Sequence, residues 1–125
     1  MKLRIKGNSI RLRLLRSEVE RFAADGRISD EVIFANARLM YALALSDNSD
    51  SVTATFEDGT IEIAVPAHLA KHWSSGEQVG IESSQQFGDG EPLAILIEKD
   101  FACLDRPDDP DRHDAFPNPN SDCSS

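Results

Sequence analysis

Aliphatic and charged residues alternate from the first position of the chain. Leu3, Ile5, Ile10, Leu12 and Leu14 interleave with Lys2, Arg4, Lys6, Arg11 and Arg13, the period-two pattern of half-buried strands. With Gly7-Asn8 as a two-residue turn, Ile5 falls opposite Ile10 and Leu3 opposite Leu12. A slip of one residue would set Ile5 against Arg11, so the pattern chooses its own register. Next, Ser17 and Glu20 have the spacing of a capping box, Val19, Phe22 and Ala23 form an apolar stripe, and Gly26 supplies a stop. That predicts a short helix over about residues 17–25. Strands are expected at 29–35 and 38–46, followed by a polar junction through Ser51.

The plan then repeats. Val52, Ala54 and Phe56 meet Ile61, Ile63 and Val65 across Asp58-Gly59, a strong hairpin signal. Pro66 opens a second helix, Leu69, Ala70 and Trp73 form its stripe, and Gly76 ends it. Strands at about 79–84 and 93–99 complete the unit. A shift of 51 residues lays Ile10, Leu12, Leu14 and Phe22 on Ile61, Ile63, Val65 and Trp73. The expectation is an internal repeat (1–46 and 52–99) within one domain over residues 1–103. Residues 104–125 read as a tail rich in Asp and Pro, too poor in apolar surface to fold alone, with Phe116 as its one anchor.

The net charge of −9 is unevenly spread: residues 1–40 carry +4, residues 41–98 carry −9, and residues 99–125 carry −4. Any anion binding is therefore expected in the N-terminal third. The opening residues lack the apolar run of a signal peptide, and no stretch approaches the ~18 residues of a membrane span. A cytoplasmic protein with no membrane partner is expected. Cys103 and Cys123 are read as free thiols.

A strand, a Gly-Asn-Ser turn, a strand, a short helix and two strands resemble the swapped-hairpin proteins, the MazE-type antitoxins and AbrB-type regulators. Gly7, Asn8, Ser9 and Arg13 match the antitoxin motif residue for residue, and Pro66 keeps its closing proline, where the first half has Leu15. In that family two chains interleave into one barrel that grips DNA with basic residues. The resemblance implies an α+β fold here: a small, mostly β barrel of about eight strands and two short helices, pseudo-two-fold within one chain. It also implies a monomeric pseudo-dimer or weak homo-oligomer. The whole chain resembles, in addition, an uncharacterised bacterial family of short proteins, which carries no activity over.

The basic hairpin is the first candidate site. Its register sets Arg4 against Arg11 and Lys2 against Arg13, and like charges opposite one another destabilise a sheet. Either a phosphate-bearing ligand compensates, through Arg4, Lys6, Asn8, Arg11 and Arg13, or acidic groups such as Glu57 and Glu62 neutralise this face internally. In the tail, Asp105, Asp108, Asp111 and Asp114 recur every third residue, a period that suits one side of a polyproline II helix. With Phe116 they are the candidate contact for a basic protein partner.

His68 and His72 share a helix face, but two ligands are too few, and Leu69 stands where zinc peptidases carry Glu. Cys103, His113 and Cys123 are spaced unlike compact zinc motifs. No nucleophile elbow or phosphate-cradling loop occurs. The expectation is a non-enzymatic binding protein, antitoxin-like or regulator-like, without metal or cofactor; the alternative is a protein-interaction module that binds no nucleic acid.

Overall fold

The computed structural model describes residues 1–47, 50–100 and 116. Eight strands and two helices follow one another as β1 (Lys2–Lys6), β2 (Ser9–Leu14), α1 (Arg16–Asp25), β3 (Arg27–Ile33), β4 (Arg38–Ser46), β5 (Thr53–Glu57), β6 (Thr60–Pro66), α2 (Ala67–Ser75), β7 (Gly80–Gln85) and β8 (Leu93–Lys99). The first hairpin has the expected register, Ile5 with Ile10 and Leu3 with Leu12. In the second, Asp58 and Gly59 are both left-handed (φ 50° and 75°), as a two-residue turn between twisted strands requires.

Helix α1 begins earlier than the Ser17–Glu20 spacing predicts. The capping carboxylate is Glu18, whose Oε1 accepts the Leu15 N–H at 2.9 Å. It is buried and also pairs with the Met1 ammonium, so tertiary contacts select it over the exposed Glu20. At the other end Gly26 adopts φ 78° and its N–H closes on Phe22 O at 2.8 Å. Helix α2 ends differently, on an extended Gly76, where a Cβ would lie 2.8 Å from the His72 carbonyl.

The strands form two four-stranded sheets, β1-β2-β8-β7 and β3-β4-β6-β5. Each sheet joins one hairpin from each half of the chain. The joins are parallel, β2 beside β8 and β4 beside β6. Replacing β1–β4 by β5–β8 and the reverse turns one sheet into the other. Registers follow the same exchange, since Leu12 lies opposite Ile97 and Ile63 opposite Leu43. The inner faces supply the core, with Leu12, Leu14, Ile81, Ile95 and Ile97 from one sheet and Ile28, Leu43, Ile63 and Val65 from the other. Phe22 of α1 and Trp73 of α2 meet inside it edge to face, ring centroids 6.4 Å apart.

The expectation of one closed barrel is corrected. Closure needs ladder hydrogen bonds between sheet edges, and among the described residues isolated contacts take their place. At one seam the Met1 ammonium lies 3.0 Å from Asp30 and the Tyr41 hydroxyl donates to the Met1 carbonyl at 3.0 Å. At the other, the Ala54 N–H donates to Gln85 Oε1 at 2.8 Å. The five-residue edge strands β1 and β5 run without a ladder partner on their outer side.

Tyr41 reports on the first seam. Burial, then the carboxylates of Asp30 and Glu18, raise its pKa above 10.0 by penalising the phenolate. Because the unfolded chain then releases its proton first, stability should fall as pH rises from about 10 through the folded midpoint. The chain has one tyrosine, so phenolate absorbance measures it alone. A midpoint at or below that of free tyrosine, or equal alkaline stability in Tyr41→Phe, would contradict this packing.

Candidate anion-binding surface

Strand alternation places the charges of the first sheet on its outer face. Reading across β1, β2, β8 and β7, one row is Arg4, Arg11, Leu96, Glu82 and the next Lys2, Arg13, Glu98, Gly80. The like-charged neighbours expected from the hairpin are therefore real. Lys2, Arg4, Arg11 and Arg13 line a cleft of about 150 Å³. A broader one of about 700 Å³ runs over the same face, with Arg4, Lys6 and Arg11 on one bank, Glu82 and Ser84 on the other, and Leu96 between.

Neutralisation comes from an unexpected source. Glu98 Oε1 receives both Arg11 and Arg13, the latter at 3.0 Å, and Asp100 Oδ2 receives Lys2 Nζ at 2.9 Å. The acidic groups named from the sequence lie elsewhere: Glu57 closes the β5–β6 hairpin, and Glu62 pairs with Arg27 at 2.8 Å on the second sheet. Parallel pairing of β2 with β8 is what delivers Glu98 to the arginines. Among the described residues Arg4 and Lys6 have no acidic partner. Asn8 is used internally, its Nδ2 donating to the carbonyls of Glu91 (3.2 Å) and Pro92 (3.0 Å). The basic candidates thus share one face, two of them unpaired and Asn8 serving as a brace for the loop before β8.

The equivalent rows of the second sheet are Thr55, Glu62, Ala42, Ser29 and Thr53, Ala64, Ala44, Arg27. Those rows carry one acid, Glu62, and one base, Arg27, which pair with each other, so the halves share a fold but not a charge.

Phe116 packs against the core, as its sequence context suggested. Its N–H donates to the Asp100 carbonyl at 2.8 Å, and its ring lies 5.1 Å from Lys99 Nζ and 5.6 Å from Arg16 Cζ. Lys99 is buried and donates to the Gly76 carbonyl at 2.8 Å; burial lowers its pKa. Asp105, Asp108, Asp111 and Asp114, with Cys103, His113 and Cys123, lie outside the described residues. His68 and His72 are exposed on α2, and among the described residues no three metal-ligating side chains come together.

The model of a family described as a family of unknown function (DUF7009) matches residues 1–120. The chain belongs to that family. No curated protein and no solved structure matches it. The DUF7009 match runs through both halves and past Phe116. No described helix is long and apolar enough to cross a membrane.

Proposed function

We infer that this DUF7009 member is a non-enzymatic binding protein that contacts the phosphate backbone of a nucleic acid through the outer face of its first sheet. It works in the cytoplasm in the manner of an antitoxin or a transcription regulator. The observation that carries this reading is the pair of unpartnered cations, Arg4 and Lys6, beside Arg11 and Arg13 on one concave face. Supporting it are the pairing of one hairpin from each half in each sheet and the resemblance of the Gly7-Asn8-Ser9 hairpin to the motif of swapped-hairpin DNA-binding proteins. No aromatic side chain stands in the rows of that face, which favours backbone contact over base stacking. Contact of the acidic C-terminal segment with a basic protein belongs to the same reading.

Two unpaired cations set the magnitude. Each neutralised phosphate contributes about −0.9 to the slope of log affinity against log salt, so a slope of about −2 is expected on duplex DNA. Between about 50 and 200 mM salt the affinity should fall about tenfold. The double variant Arg4→Ala/Lys6→Ala should flatten the slope towards zero. A second reading has its own observation: three of the five basic side chains already meet Glu98 or Asp100. An intact protein that binds neither duplex DNA nor RNA at low salt would establish that alternative, a protein-interaction module.

A further inference from the structure

We propose that Phe116 is a latch that restrains the anion-binding face by holding Asp100 against Lys2. This rests on the functional reading above and names how that site is controlled. Asp100, the residue following β8, makes three connections. Its N–H donates to the carbonyl of Leu14 at the end of β2 (2.8 Å), its carbonyl accepts the Phe116 N–H (2.8 Å), and its carboxylate holds Lys2 (2.9 Å). Leu14 ends the strand that carries Arg11 and Arg13, so the counter-charge is built into the edge of the basic face.

The Asp100 carboxylate is only 13% exposed, whereas the Lys2 side chain is 54% exposed. The acid is the fixed member of the pair and the lysine the member that could turn to another anion. What fixes the acid is the end of β8, where Lys99 is the last rung opposite Leu14 and the Asp100 N–H donates to the Leu14 carbonyl. There the Phe116 ring lies against two cations, Lys99 of β8 and Arg16 of α1. Such contacts are worth most where the cation is desolvated, and Lys99 is buried. Lys99 and Asp100 are also held by backbone bonds to Val79 and Leu14, and the ring, with the Phe116 N–H, is what the C-terminal segment adds to that hold. Release uncovers Lys99, frees the Asp100 carbonyl, and loosens the carboxylate from Lys2. The face then gains a third cation without an acidic partner, beside Arg4 and Lys6. A partner that captures the C-terminal segment would in this way strengthen anion binding on the opposite side of Asp100.

The test uses the full chain and a short mixed-sequence DNA duplex. Asp100→Asn, which removes the counter-charge directly, should tighten binding about fivefold at low salt, the worth of a good exposed ion pair. It should also steepen the salt slope by about one. Phe116→Ala should do the same, and the double variant no more than either single one, because both act on Lys2. Phe116→Leu keeps apolar bulk but offers no ring face, and should fall between wild type and Phe116→Ala. Hydrogen exchange of the Asp100 amide supplies a readout independent of DNA, expected to accelerate in Phe116→Ala while the β4 and β6 amides stay protected. If Asp100→Asn tightens binding and Phe116→Ala does not, the latch is overturned and the functional reading stands. If neither wild type nor Asp100→Asn binds the duplex, the functional reading fails; exchange at Asp100 unchanged in Phe116→Ala would then remove the latch as well.

Discussion

Trp73→Ala should cost about 4 kcal/mol of stability, the upper range for removing a buried aromatic. Trp73 is fully buried, its indole N–H donates to the Val79 carbonyl at 3.1 Å, and its ring meets Phe22 edge to face. Phe22 and Trp73 occupy equivalent places in the two halves, so their contact joins the halves at the centre of the pseudo-symmetry. Truncation removes the transfer energy and leaves a cavity that two sheets cannot easily collapse, while the Val79 carbonyl keeps the Lys99 N–H at 3.0 Å. Against a typical total of about 5–15 kcal/mol this leaves a marginal protein. Urea denaturation should show a much lower midpoint with little change in slope. Phe22→Ala should cost a similar amount, and the double variant less than the two together, since the rings share a contact. A loss under about 1 kcal/mol for Trp73→Ala would mean that the halves are not joined through these rings.

Glu98→Gln should move stability and binding in opposite directions. One carboxylate serves Arg11 and Arg13, and its side chain is largely shielded from water. Neutralising it leaves these two without an acidic partner beside Arg4 and Lys2, with only Asp100 on Lys2 to offset the repulsion. A cost of about 1–2 kcal/mol is expected, below the 3–5 of a fully buried pair because the arginines are partly solvated. Two further cations then become available to phosphate. The salt slope on duplex DNA should steepen from about −2 to about −4 and affinity at low salt rise more than tenfold. Loss of stability with an unchanged slope would show that Glu98 serves only the fold and that Arg11 and Arg13 do not reach phosphate.

Chain-local information settled much of this molecule. The first hairpin's register, the Asp58-Gly59 turn, the bounds of β4 and β8, and the repeat of hairpin, helix and strand pair were all legible. So was the crowding of Arg4 on Arg11 and Lys2 on Arg13, because alternation and a two-residue turn decide each between neighbours a few positions apart. Only the tertiary structure could decide which hairpin lies beside which. The pairing of β2 with β8 brings Arg13 to Glu98 across 85 positions of chain, and no local pattern distinguishes Glu98 from Glu57 or Glu62 as the partner. The same holds for Glu18 as the helix cap in place of Glu20, and for seams bridged by side chains in place of a closed barrel. Those outcomes depend on how two sheets and two aromatic rings fill a single core, a sum over contacts distant in sequence. Turn chemistry and alternation act along the chain, whereas counter-charges are assigned across it, and so the basic face could be read from the residues while its neutralisation could not.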